Sequence, residues 1–278
     1  SNEAGIVFRK DKTFLLDWMQ VYMEAQESAG KKDGSQIKIA MRILKDYAGE
    51  MVTLDQIDGD FCRGYITYLL TEYHPKGKDI SNYTLHNYYR ALNGALNSAV
   101  RKKKMKANPF NELEKSEKIR KPESMRSYMT IEEVQALIDT PMPHEEYEIV
   151  KCAYLFSCFC GLRISDIIKL KWNDVFVDRG QYRLAVSMKK TKEPIYLPLS
   201  PEALKWMPER GGKSSEDNVF DLPSANTIRM QLKPWAKAAG ISKRFSYHTS
   251  RHTFATMMLT LGADLYTVSK LLGHADVK

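Results

Sequence analysis

Val175-Phe176-Val177, then Tyr182-Arg183-Leu184-Ala185-Val186, then Ile195-Tyr196-Leu197 is the stretch of this 278-residue chain where hydrophobic residues stop recurring at helical spacing. β-Branched and aromatic residues dominate these three short runs, and turn signals separate them: Gly180 in the first gap and the Lys189–Lys192 run in the second. The region 175–198 therefore reads as a small three-stranded antiparallel sheet. On both sides the helical period returns. Downstream, helices are expected at about 200–207, 225–239, 249–261 and 264–272. Upstream, residues 146–160 read as a buried helix, and Thr130 followed by Glu133 is a capping box that opens another. The second half is thus an α+β unit built mostly of helices.

The first half carries no strand signal. Phe14, Leu15, Trp18, Met19, Tyr22 and Met23 form one apolar stripe, and Ile37, Ala40, Met41, Leu44 and Tyr47 form a second. Phe61, Tyr65, Ile66, Leu69 and Leu70 form a third; Leu85, Tyr88, Tyr89, Leu92, Leu96 and Val100 form a fourth. Four amphipathic helices in succession predict a small all-helical bundle. The expected organisation is a helical domain over 1–110, a basic linker over 111–127 and the α+β domain over 128–278, mainly α overall. No internal repeat is visible.

Composition narrows the function. The chain is 43% hydrophobic and 27% charged, enough apolar content for packed cores. It has no apolar run near the roughly 18 residues that span a bilayer, and no charged-then-apolar signal segment opens it. A cytoplasmic protein is expected. Cys152, Cys158 and Cys160 sit in one apolar helix, with Cys62 elsewhere, and no second Cys/His pair stands nearby at zinc spacing. They read as buried thiols of a reducing compartment. Net charge is +8, and residues 101–121 hold nine Lys/Arg against three Glu. That segment, with Arg101, Lys102, Lys103, Lys104 and Lys106 at its head, reads either as a solvated face or as a phosphate-binding strap between two helical units.

Four local features carry chemistry. In Gly161-Leu162-Arg163-Ile164-Ser165-Asp166, Ser165 reads plainly as a helix N-cap, yet Arg163 lies between apolar residues and needs a partner. A phosphate, or Asp166 from behind, would serve. His248-Thr249-Ser250-Arg251-His252 opens a helix with His248 and Arg251 three residues apart, a spacing that puts both on one face. Such a pair suits a phosphoryl group, the imidazole moving protons and the guanidinium holding oxygens. Leu271-Leu272-Gly273-His274 ends a helix, with Gly273 as its cap. Lys189-Lys190-Thr191-Lys192 occupies the second hairpin tip.

In this order the four features resemble the catalytic domain of the tyrosine recombinases, the phage integrase family. The flavour is that of the integrases of conjugative transposons, and the resemblance covers nearly the whole chain. The first half is similar to the family's helical core-DNA-binding domain. The resemblance implies Arg163, Lys190, His248, Arg251 and His274 as the catalytic set, with Lys192 as the alternative to Lys190. Asp166 stands where many members carry Glu and would support Arg163; His252 would be structural or support its neighbours. The implied chemistry uses the two arginines on the non-bridging phosphate oxygens and Lys190 as general acid to the leaving 5′ oxygen. His248 would be the proton partner of a tyrosine nucleophile, and His274 would bond the phosphate. No metal or other cofactor is implied. Partners would be double-stranded DNA and further copies of the chain, four protomers on two paired sites. The family's tyrosine comes several residues after the histidine of Leu-Gly-His, which falls beyond Lys278. Tyr247 and Tyr266 precede His274 and do not match. The chain is therefore expected to be truncated, to bind DNA without cleaving it, and to lack an arm-binding domain before its first helix. Other readings of the same residues are a catalytically silent DNA-binding protein of this fold and a type IB-like topoisomerase. An RNA-binding protein would rest on charge alone, with no aromatic sheet signature.

Overall fold

The structure is a computed structural model, and it describes residues 12–32, 34–123, 127–187 and 194–272. Two compact units divide the chain, Ser1–Ser124 and Met125–Lys278.

The first unit contains α1 (Leu15–Ser28), α2 (Gly34–Ala48), α3 (Gly59–Thr71) and α4 (Asn82–Arg101). The caps follow from sequence: Asp58 accepts from the Phe61 N–H at the start of α3, and Ser81 accepts from Thr84 at the start of α4. Each apolar stripe supplies the core, which holds Leu15, Trp18 and Met19 of α1, Ile37 and Leu44 of α2, Tyr65 and Leu69 of α3, and Leu92 and Leu96 of α4. Trp18 also donates its indole N–H to the Ala95 carbonyl at 2.8 Å, tying α1 to the middle of α4.

The segment expected as a linker begins inside this unit. Phe110, Leu113 and Ile119 are buried in the same core. Asn108, 2% exposed, explains how the chain turns back there. Its amide nitrogen reaches the Asn93 and Asn97 side-chain oxygens, both at 2.8 Å, and its own oxygen accepts from the Phe110 N–H at 3.0 Å. The Asn-Pro break read from the sequence is thus a short 3-10 turn, Pro109–Glu112, pinned to α4.

The second unit contains α5 (Ile131–Asp139), α6 (Glu148–Cys160), α7 (Ile164–Ile167), β1 (Val175–Asp178), β2 (Gln181–Ser187), β3 (Pro194–Pro198), α8 (Pro201–Lys205), α9 (Ala225–Ala238), α10 (Tyr247–Thr260) and α11 (Leu265–Leu271). The three strands form one antiparallel sheet in the order β1-β2-β3. Arg179 and Gly180, both at positive φ, make the two-residue turn between Asp178 and Gln181. Leu184 faces Leu197 across the ladder and both are buried, the inward face of the period-two pattern. The capping box at Thr130 and Glu133 is present. Helix α6 is the centre of this unit: Val150, Ala153, Tyr154, Leu155, Phe156, Cys158 and Cys160 are all buried. Burial pushes the Cys160 thiol up to about 12 and raises Cys158 well above its ordinary value, so both stay protonated core residues. The N-cap expected at Ser165 is displaced: Arg163 is the N-cap of α7, and Asp166 accepts from its backbone N–H at 3.4 Å. Asp166 at the third position competes for that role, as in a capping box. Among the described residues, no helix is long and apolar enough to cross a membrane.

Candidate functional site

The site grows from the C-terminal end of α6. Gly161 ends that helix in the left-handed region, φ 74°, a conformation glycine adopts without steric cost. A methyl group there would stand 2.5 Å from Phe254 Cδ1 and 3.0 Å from Leu272 Cδ2, so α10 and the end of α11 pack directly on this turn. The tight turn sends the chain straight into Arg163, which is half-buried at the head of α7.

Arg251 reaches the same place from α10. It is 3% exposed, donates to the Gly161 carbonyl at 2.7 Å, and bonds the Leu272 carbonyl as well. Its guanidinium is held down to about 10, first by burial and next by the positive charge of Arg163, with Asp166 partly offsetting both. Two guanidinium groups are thus held close enough to repel one another, one of them buried. Such an arrangement is favourable around an anion such as a phosphodiester.

His248 and His252 lie one turn apart on α10. Their rings meet edge to face with centroids 4.7 Å apart. His248 is exposed, whereas His252 is half-buried. The three-residue spacing of His248 and Arg251 therefore does not make one exposed face: Arg251 turns inward onto α6, and His248 turns outward.

His248 opens onto a cavity of about 670 Å³ between α9 and the segment 241–248. Ile164, Ile228, Leu232 and Phe245 are among its apolar lining, and Arg229, Lys233, Lys237, Lys243 and Arg244 surround it. None of the described lining residues is acidic. Lys243 is engaged by Glu133 at 2.7 Å and by the Tyr128 carbonyl at 3.0 Å, whereas Lys233, Lys237 and Arg244 have no ion pair among the described residues. The sequence reading missed these cations individually. The signal was present: Arg229, Lys233 and Lys237 recur every fourth residue, one stripe along α9.

Lys190, its alternative Lys192, and His274 lie outside the described residues, as does Gly273. Tyr247 is described, and its environment rules it out as a nucleophile. It is 8% exposed, its hydroxyl is engaged twice, and burial raises it well above the ordinary phenol range. Tyr266 is exposed on α11 with the Lys270 ammonium 4.8 Å from its ring centroid. Among the described residues, no group of three or more His, Cys, Asp or Glu could hold a metal ion.

In the first unit, Arg101, Lys102, Lys103, Lys104 and Lys106 are all exposed. The run closes α4 in a Schellman turn: Lys104 N–H bonds the Ala99 carbonyl at 2.9 Å and Lys103 N–H bonds Val100 at 3.0 Å. Lys103 takes the left-handed position, φ 58°, where glycine is usual. The helix C-terminus suits these cations electrostatically, and the turn fans them outward into solvent.

Comparison with known proteins identifies the family. Residues 127–278 match the phage integrase family, and residues 14–121 match the phage integrase SAM-like domain. The chain belongs to the phage integrase family, the tyrosine recombinases. It is 32% identical over 171 residues to the tyrosine recombinase XerD of Vibrio vulnificus strain YJ016, covering 56% of this chain and 55% of that protein. It is 28% identical over 239 residues to the tyrosine recombinase XerC of Pelobacter propionicus, covering 82% of this chain and 75% of that protein. The match thus spans about half the length of the XerD relative. The fold is shared with the Tn1549 transposon integrase in complex with transposon right end DNA, at a TM-score of 0.74 and 16% identity over 95% of this chain and 92% of that one. It is also shared with a lambda integrase dimer bound to a core site, at a TM-score of 0.67 and 21% identity over 95% of this chain and 93% of that one.

Proposed function

We propose that this chain is the core of a site-specific DNA recombinase that cleaves and rejoins double-stranded DNA through a 3′-phosphotyrosyl intermediate. The observation that carries the reading is the pairing of Arg163 with buried Arg251 at the end of α6, beside an imidazole that faces a cation-rimmed cavity. Attack at phosphorus builds negative charge on the non-bridging oxygens, and two guanidinium groups can each donate paired hydrogen bonds to them. Because the Gly161 and Leu272 carbonyls hold Arg251 in place, little reorganisation of that guanidinium accompanies the reaction.

His248 is the proton partner of the nucleophile, Lys190 the acid for the 5′ oxygen, and His274 a further phosphate donor. Asp166 limits the mutual repulsion of the arginines. The nucleophile is a tyrosine other than Tyr247 and Tyr266. Rejoining by a second strand's hydroxyl reverses the first step and needs no outside energy source. The enzyme acts in the cytoplasm as four protomers on paired sites.

The test is a plasmid carrying two copies of the ends of the host element, treated with a chain that carries the tyrosine nucleophile. Exchange between the sites is the expected product. Relaxation of supercoils with no exchange would replace this reading by a topoisomerase.

Duplex binding by residues 1–278 is expected to weaken steeply with salt, because bound phosphates release condensed counterions. Neutralising Lys102, Lys103 and Lys104 together should lower the slope of log K against log salt by up to about 2.7, roughly 0.9 for each lost contact. A slope unchanged in the triple variant would remove these residues from the DNA contact. Reversing charge at Lys233 and Arg244 tests the α9 cavity the same way. A loss of affinity of at least about tenfold is expected across sequences, since these are backbone rather than base contacts.

A further inference from the structure

The first two turns of α10 carry an unusual density of buried hydroxyls: Tyr247, Thr249, Ser250 and Thr253 are all buried. Their hydrogen bonds can be assigned a direction by elimination. Tyr247 donates to the Ala153 carbonyl at 2.7 Å, which uses its single proton. The 2.8 Å contact between Tyr247 and Ser157 must then have Ser157 as donor. Thr249 donates to the Ser246 carbonyl at 2.5 Å, so Tyr154 is the donor in its 2.8 Å contact with Thr249. Thr253 donates to the Thr249 carbonyl at 2.8 Å and accepts the Met129 N–H at 2.9 Å.

The result is a set of oriented bonds that joins the wide buried face of α10 to α6. Three of its members sit on α6 itself: Ala153, Tyr154 and Ser157. Each is buried, so water cannot substitute if one is lost. Rolling α10 about its axis would break several of these bonds at once. The same roll would carry Arg251 off the Gly161 carbonyl and turn His248 away from the cavity.

We infer that Tyr247 and its partner Ser157 are positioning residues of the recombinase site: their buried hydroxyl pair sets the rotation of α10 and so aims Arg251 and His248. This rests on the proposed function for its consequence in catalysis, but the aim of Arg251 is a property of residues 1–278 alone.

The test is Tyr247→Phe, which removes one oxygen and keeps the ring packed against Tyr154. The first readout is solvent exchange of the Arg251 guanidinium protons, followed by 15N NMR on residues 1–278. Exchange is expected to be slow in the parent and about tenfold faster in Tyr247→Phe, the size set by a buried hydrogen-bonding group left unpaired. Ser157→Ala, which leaves the Tyr247 bond to Ala153 in place, should give a smaller acceleration. The second readout is single-turnover cleavage by a chain that carries the tyrosine nucleophile. Tyr247→Phe is expected to slow cleavage about tenfold while duplex affinity stays within about twofold, because aim is lost and the basic surfaces are not. Arg251 exchange unchanged in Tyr247→Phe would overturn the proposal. Faster exchange with unchanged cleavage would overturn its catalytic part. If the parent chain that carries the nucleophile fails to cleave at all, the recombinase reading falls, while the exchange result still decides whether the hydroxyl pair aims Arg251.

Discussion

Arg163→Ala and Arg251→Ala, each placed in a chain that carries the tyrosine nucleophile, are expected to lower single-turnover DNA cleavage by at least about 10²–10³-fold. Each removes a charge aimed at oxygens that become more negative in the transition state. The two variants should differ in stability. Arg251 is buried and satisfies the carbonyls of Gly161 and Leu272, so its loss leaves two buried acceptors unpaired. Each unpaired group costs about 1–3 kcal/mol. Arg163 is half-buried at the head of a four-residue helix, and its removal should cost less. Duplex binding should survive largely intact in Arg163→Ala, since the fanned lysines of the first unit and the α9 cations are untouched. Parallel measurement of cleavage, affinity and melting temperature separates these effects. Parent-like cleavage in both variants would sink the site assignment.

Gly161→Ala is the second large effect, and it is a folding effect before it is a catalytic one. The residue must hold φ at 74°, and the new methyl would stand 2.5 Å and 2.9 Å from two Phe254 ring carbons. A left-handed alanine costs about 1 kcal/mol, and overpacking a close helix contact adds about 1–3 kcal/mol. The sum lowers the melting temperature of the second unit by roughly 5–15 °C. Because Gly161 also presents the carbonyl that Arg251 holds, any rearrangement that admits the methyl spreads into the site. A melting temperature within about 1 °C of the parent would show that α10 can move away from α6 at little cost. That result would also weaken the positioning role of the Tyr247 and Ser157 hydroxyls.

The parts of the fold that rest on periodicity were readable in the residues. The four stripes of the first half became four helices because each stripe is wide and unbroken, and the three β-rich runs became one sheet because Gly180 and its neighbour can make the positive-φ turn. The segment after α4 was harder. Its charges hid Phe110, Leu113 and Ile119, whose burial depends on Asn108 bonding back to Asn93 and Asn97, a long-range contact with no local signature. Ser165 looked like a helix cap because serine usually is one, but Asp166 took the Arg163 backbone N–H instead.

The site was legible as a set of residue types and only partly as geometry. Spacing alone put His248 and Arg251 on one face; packing against α6 divided them, one outward and one inward, because the buried face of α10 is wide enough to include Arg251. That Arg251 bonds two carbonyls follows from where α6 and α11 end, which no local pattern reveals. The cations of α9 did repeat every fourth residue, yet a lysine stripe on a helix is most often a solvated face, and only the cavity beneath distinguishes it.

The central claim is that a tyrosine joined to this core attacks a DNA phosphate held by Arg163 and Arg251. The most direct measurement is covalent trapping on a nicked suicide duplex taken from the ends of the host element, comparing a chain that carries the tyrosine nucleophile with its Arg163→Ala variant. The account predicts a protein–DNA adduct with the parent chain that carries the nucleophile and none with the same chain carrying Arg163→Ala. Tight duplex binding by the parent chain with no adduct would contradict it and leave a DNA-binding protein that shares the fold without the chemistry.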